Sequence, residues 1–89
     1  MKYTIELSEK VNRDLLFFKK AGDKVILKKI KKLLFELESH PTTGTGKPEQ
    51  LKHQFSGLWS RRINKEHRMI YEIVDEKCVV FLISAKGHY

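Results

Sequence analysis

The hydrophobic pattern of this chain turns from helical to alternating across Ser39–Glu49, "SHPTTGTGKPE". Before that stretch, Val25, Ile26, Ile30, Leu33, Leu34 and Leu37 recur at helical spacing and make one apolar stripe. After it, "LWSRRIN", "HRMIYEIV" and "CVVFLISA" read as strands, separated by turn residues at Asn64-Lys65-Glu66 and Asp75-Glu76-Lys77. Pro41, Gly44, Gly46 and Pro48 mark the break itself as a loop. A helical stripe followed by alternating runs cannot be one kind of secondary structure, so the chain must combine helices with a meander of strands.

Upstream, "YTIEL" has the β-branched and aromatic content of a short strand. Ser8 follows as a helix cap, with Glu9 in the first turn, where a carboxylate suits the helix dipole. Val11, Leu15 and Phe18 continue at helical spacing, with Leu16 and Phe17 widening the stripe, until Gly22 ends the helix. Asp23 caps the next one, which suggests an antiparallel helical hairpin. The expected fold is α+β, in the order β-α-α-β-β-β. It is one compact domain over residues 1–89, with two helices packed on one face of an antiparallel sheet.

Strand parity then distributes the charges. A three-residue turn at Asn64-Lys65-Glu66 sets Trp59 against Tyr71 and Arg62 against Arg68, and it matches apolar residues better than a two-residue turn does. Met69 and Ile73 share the parity of Tyr71. Placing Tyr71 opposite Phe81 puts Val79, Phe81 and Ile83 toward the helices. The other face would hold Arg62, Arg68 and Ser84, with Lys86 and His88 if the strand continues. Arginines directly opposed on a sheet repel; an anion between them would remove that cost. Trp59 is expected in the core, Arg61 and Lys65 as ordinary surface charge, and His53 and His67 as structural or rim residues.

Composition narrows the classes. The net charge of +7 predicts attraction to polyanions, either nucleic acid or an acidic protein. Lys28, Lys29, Lys31 and Lys32 line the other face of the second helix, which reads as a solvated face in preference to a phosphate-contacting ridge. Cys78, the single cysteine, excludes an intrachain disulfide and reads as a small core residue of a protein from a reducing compartment. "MKYTIELSEK" lacks the apolar core of a secretory signal, and no apolar run approaches the length of a membrane span. A cytoplasmic location without membrane contact is expected. Gly46-Lys47 is followed by Pro48, and position 41 is proline, so the loop is not a phosphate-binding P-loop.

Lys47-Pro48-Glu49, Leu51-Lys52-His53, Trp59-Ser60-Arg61-Arg62-Ile63, Glu66-His67-Arg68 and the terminal His88-Tyr89 fall in one order. In that order they resemble the Txe/YoeB family of bacterial toxins, within the RelE superfamily. The resemblance covers essentially the whole chain. It implies a microbial-ribonuclease-like fold and a metal-independent mRNA endonuclease acting in the A site of the translating ribosome. The implied partner is a small acidic antitoxin of YefM/Axe type, through which alone operator DNA would be bound; a homodimer is allowed. Ile5 and Val11 stand where family members usually carry tryptophan, Gln50 where proline is common, and Gly87 where a larger residue is usual. These departures bear on dimer and antitoxin contacts.

Metal-free RNA cleavage needs a base for the 2′-hydroxyl, an acid for the leaving 5′-oxygen, and cations for the charge that builds on phosphorus. The resemblance assigns Glu49 as base, His88 as acid and Arg68 as transition-state stabiliser. Lys52 and Arg62 would hold neighbouring phosphates, and Tyr89 would stack on a base or orient the substrate. Each has a plainer reading: a salt-bridge partner of Lys47 or Lys52 for Glu49, surface charge for the cations, a frayed end for His88 and Tyr89. No metal or cofactor is implied. The rival functions are a superfamily toxin that poisons gyrase without catalysis and a simple RNA-binding module.

Overall fold

The computed structural model of the chain describes residues 2–87. Strand β1 (Thr4–Leu7) leads into helix α1 (Glu9–Lys20). Ser8 caps α1 by accepting from the Val11 amide at 3.1 Å, and its hydroxyl donates to the Ile83 carbonyl at 2.9 Å, tying the helix start to the sheet. Glu9 in the first turn and Lys19 and Lys20 in the last complement the helix dipole. The turn after α1 passes through Gly22 at φ 71°, a left-handed value that favours glycine. Asp23 then caps α2 (Lys24–Ser39), accepting from the Ile26 amide at 3.0 Å. No helix among the described residues is long and apolar enough to cross a membrane.

The rest is sheet. β2 (Glu49–Gln50), β3 (Trp59–Arg62), β4 (Arg68–Val74) and β5 (Val79–Ser84) join β1 in the order β1-β5-β4-β3-β2. The expected helices and meander are present, but the sheet is mixed and has a fifth strand. β1 runs parallel to β5, pairing Ile5 with Val80 and Leu7 with Leu82, whereas the other pairs are antiparallel. The helical hairpin separates β1 from the meander, and nothing in a four-residue strand dictates which edge it joins or in which direction.

The first hairpin has the expected register: Trp59 opposes Tyr71 and Arg62 opposes Arg68. The second is displaced by one residue, with Tyr71 opposite Leu82 and Glu72 opposite Phe81. The cause lies in the turn. Asp75–Lys77 forms a 3-10 turn closed by Cys78 at φ 52°, so Cys78 belongs to the loop and Val79 is the first paired residue. Cys78 is therefore half-buried in a turn and not a core residue. Val80 and Leu82 face the helices in place of Val79, Phe81 and Ile83. Ser84 also lies on the helix side, where its hydroxyl accepts from Lys10 Nζ at 3.0 Å, and does not join Arg62 and Arg68.

The core fills the space between the helices and one sheet face. Val11 and Phe18 from α1 and Ile26, Ile30, Leu33 and Leu37 from α2 meet Met69, Tyr71, Val80 and Leu82. Trp59 packs against this cluster, partly buried. Val25 and the wider part of the first stripe, Leu16 and Phe17, are exposed.

A charge also sits on the core side. Arg61 is fully buried and not surface charge. Its guanidinium donates to the His40 and Thr43 carbonyls at 2.8 and 2.7 Å and to Glu36 Oε1 at 3.3 Å. The same Glu36 oxygen accepts from the Thr45 amide at 2.8 Å. The Tyr71 hydroxyl, its pKa raised by burial against the opposing Arg61 charge, stays protonated and donates to the Pro41 carbonyl at 2.7 Å. Residues 40–45 are thus laid against α2 and β3 from beneath.

Removing one partner of a buried charge pair leaves the other unpaired, so Arg61→Ala should cost about 3–5 kcal/mol in urea unfolding. Burial alone would raise the Glu36 carboxyl, but the Thr45 hydrogen bonds and the Arg61 charge outweigh it and hold the group below its ordinary 4.5. A carboxyl depressed by folding stabilises the fold above its unfolded value and ceases to do so as pH falls through the folded one. The stability difference between wild type and Glu36→Gln should therefore be largest near neutrality and shrink below about pH 4.5. Denaturation at a series of pH values measures it.

Candidate active site

The site begins with a close approach. Gly46 has φ 89°, and a Cβ there would lie 2.5 Å from the Arg62 carbonyl oxygen and 2.7 Å from Arg61 Cγ. Only glycine lets the loop lie this close to β3, where the Arg62 amide donates to the Gly46 carbonyl at 2.7 Å. Pro48 follows, and the chain then extends into β2, with Glu49 opposite Ser60 and Gln50 opposite Trp59.

That pairing puts Glu49 on the sheet face away from the helices, with Ser60, Arg62 and Arg68. Glu49 Oε1 lies 3.4 Å from Arg68 Nη1, which also donates to Ser60 Oγ at 3.3 Å. The Arg68 side chain is 26% exposed and that of Glu49 60%. Arg62, exposed, stands directly across from Arg68. Lys52, also exposed, follows β2 at the Trp59 end of β3, leading into a 3-10 turn at His53–Phe55. The structure thus brings Glu49 to Arg68, sets Arg62 beside them and leaves Lys52 in the segment after β2, near the end of β3 away from Arg62. His88 and Tyr89 lie outside the described residues. The chain reaches that boundary at Gly87, whose carbonyl accepts from the Arg68 amide at 2.8 Å.

Two residues at the site were not singled out from sequence as members of it. Ser60 shares the parity of Arg62, which was the available signal. His67 is half-buried, its ring edge-on to Phe18 with centroids 5.1 Å apart, and its Nδ1 accepts from the Gly87 amide at 2.9 Å. Among the described residues there is no group of three or more His, Cys, Asp or Glu that could hold a metal ion. The arrangement offers an accessible carboxylate, a guanidinium with donors to spare and a second arginine, all on an open surface. It suits an extended anionic ligand better than an enclosed small molecule.

The two-helix, five-strand arrangement is that of the small RelE-type toxins. A toxin chain from Agrobacterium tumefaciens, described as YoeB/ParE, matches with a TM-score of 0.89 at 31% identity, covering 97% of this chain and 99% of that one. YoeB from Staphylococcus aureus, solved as a dimer, matches with a TM-score of 0.84 at 38% identity over the full length of both chains. In sequence, Toxin YoeB of Escherichia coli K12 is 42% identical over 82 residues, which is 92% of this chain and 94% of that protein. Residues 7–89 match the model of the YoeB-like toxins of bacterial type II toxin–antitoxin systems, and the chain belongs to that family.

The accessibility of the Glu49–Arg68 pair limits what it contributes to stability. Exposed ion pairs are worth roughly 0–1 kcal/mol, so a double-mutant cycle of Glu49→Gln and Arg68→Ala should give a coupling energy within that range. A value of several kcal/mol in equilibrium unfolding would make the pair a structural fastener.

Proposed function

We propose that this toxin is a ribosome-dependent mRNA endonuclease, a single catalytic domain that cuts by internal 2′-hydroxyl attack without a metal or cofactor. The observation that carries the reading is the Glu49 carboxylate, 3.4 Å from the Arg68 guanidinium on an open, basic sheet face. A carboxylate held among cations, yet accessible, can take a proton from a substrate hydroxyl that the same cations position.

In the proposed sequence of events, Arg62 and Lys52 bind phosphates on either side of the scissile one and Arg68 reaches its non-bridging oxygens. Arginine's planar fork fits two phosphate oxygens at once. Glu49 removes the 2′-hydroxyl proton. The 2′-oxygen forms a bond to phosphorus, the bond from phosphorus to the 5′-oxygen breaks, and His88 protonates that oxygen. The products are a 2′,3′-cyclic phosphate and a 5′-hydroxyl. Arg68 offsets the charge gained by the phosphorane, and Tyr89 orients the adjoining base. The natural antagonist is an acidic antitoxin, as the net charge of +7 suits; YoeB of S. aureus has been solved in complex with YefM, at 36% identity to this chain.

Glu49→Gln keeps the shape of the side chain and removes the proton acceptor. Single-turnover cleavage on programmed ribosomes should fall about 10²–10⁴-fold, the usual worth of a positioned base, while ribosome binding survives. An unchanged rate would remove Glu49 from the chemistry. Mapping of 5′ ends after brief induction in cells decides the class: cuts within codons support the endonuclease, and intact messages with DNA damage point to a gyrase poison.

Phosphate contacts release counterions, so ribosome affinity should fall steeply with salt, and Arg62→Ala and Lys52→Ala should each flatten that slope by about one charge. Affinity that does not respond to a salt titration would rule out the phosphate-binding role of this face.

A further inference from the structure

The chain after β5 is fastened residue by residue. The Ala85 amide donates to Asp14 Oδ2 at 3.0 Å, and Lys10 Nζ reaches the Lys86 carbonyl at 3.5 Å. At Gly87 the fastening passes from α1 to the start of β4. The Gly87 amide donates to His67 Nδ1 at 2.9 Å, and its carbonyl accepts from the Arg68 amide at 2.8 Å. Both polar groups of one peptide residue are therefore held by two consecutive residues, and the second of them carries the guanidinium that meets Glu49.

His67 is itself fixed. Its carbonyl accepts from the Ile63 and Asn64 amides at 3.0 and 3.2 Å, and its own amide donates to Asn64 Oδ1 at 2.8 Å. Its ring leans on Phe18, which is 3% exposed. An imidazole held this way with Nδ1 as acceptor must be neutral at that nitrogen, with its proton on Nε2. Gly87 takes φ 92°, which glycine adopts without steric cost; the same freedom leaves the backbone direction there to be set by its hydrogen-bond partners.

We propose that His67 is a positioning residue of the toxin: its neutral imidazole latches Gly87, so that the chain beyond Gly87 starts from a fixed point beside Arg68. The proposal rests on the endonuclease reading above, in which the residue after Gly87 supplies the leaving-group proton. His67 touches neither substrate nor reacting atoms. Its effect is to fix the backbone of Gly87, and a misplacement of about 1 Å passed from such an anchor to a reacting group is enough to cost roughly 10²-fold in rate.

Two substitutions in the full-length toxin separate latch from packing. His67→Phe keeps a ring against Phe18 and loses the acceptor. His67→Asn loses the ring and offers an amide oxygen near the position of Nδ1. The readouts are single-turnover cleavage across ribosome concentrations and amide hydrogen exchange at Gly87, with Val80 and Leu82 as core references. For His67→Phe, the expected result is faster exchange at Gly87 with the core references unchanged. Its cleavage at saturating ribosomes should be lower by about 10–10²-fold at an unchanged half-saturation concentration. His67→Asn should recover most of both losses. Wild-type cleavage by His67→Phe, or wild-type protection of its Gly87 amide, would overturn the proposal, as would an Asn variant that recovers neither. If His67→Phe does not fold, the Asn variant alone decides by the same two readouts. Should the wild type fail to cut mRNA at all, it is the endonuclease reading that falls. The latch is then decided by Gly87 exchange: acceleration in His67→Phe supports it, and no change removes it.

Discussion

A buried guanidinium determines the shape of the surface on which this toxin presents its charges. Arg61 has no exposed area, and removing such a group from water costs several kcal/mol unless acceptors replace the solvent. Two main-chain carbonyls and the Glu36 carboxylate do so, while Nε finds no hydrogen-bond partner among the described residues. The Tyr71 ring lies beneath, 5.9 Å from the guanidinium carbon. The two carbonyls belong to a loop with no ladder of its own, so satisfying the arginine and folding that loop onto α2 are the same event. Once residues 40–45 are held, Gly46 can close on β3 and Glu49 can pair opposite Ser60.

Adjacent residues of one type therefore do opposite work. Arg61 points into the core and organises the loop; Arg62 points away and faces Arg68 across the ladder. The pleat of β3 makes the division, since neighbouring side chains on a strand emerge on opposite faces. The same pleat separates stability from ligand binding. The main core cluster lies on the helix face, while Glu49, Ser60, Arg62 and Arg68 lie on the other, beside the buried Ile70. The opposed arginines can persist there because Glu49 offsets the Arg68 charge and water and salt screen what repulsion remains.

Much of this was legible beforehand. The caps at Ser8 and Asp23, the helical hairpin, the meander and the Trp59–Tyr71 register follow from local chemistry that leaves a direct trace in residue type. The open-face grouping of Arg62 with Arg68 follows from the same register. The burial of Arg61 is not legible even though its parity matches that of Trp59, because arginine is seldom buried and the partners that make burial tolerable are loop carbonyls and a helix carboxylate distant in sequence, which residue types do not disclose. The shift at β5 has a different origin. Cys78 takes a left-handed conformation that asparagine or glycine would have advertised and cysteine does not. One residue moved into the turn, and every side chain beyond it changed face. The parallel pairing of β1 was out of reach for a third reason: a strand of four residues carries too little pattern to choose an edge.

The site, accordingly, is assembled from pieces whose separation in sequence hides their proximity. Glu49 arrives from a loop shaped by Arg61, and Gly87 from a tail tied first to Asp14 and then to His67. Arg68 is where the two routes meet, because its side chain reaches Glu49 while its amide holds Gly87. That double engagement is possible on a strand and not on a helix: in-plane backbone groups serve the neighbouring chain while the side chain projects from the sheet. An arginine at this position can gather a carboxylate from one direction and the Gly87 peptide from the other without moving itself. The surrounding geometry can then remain rigid while the ligand-facing side chains stay open to solvent.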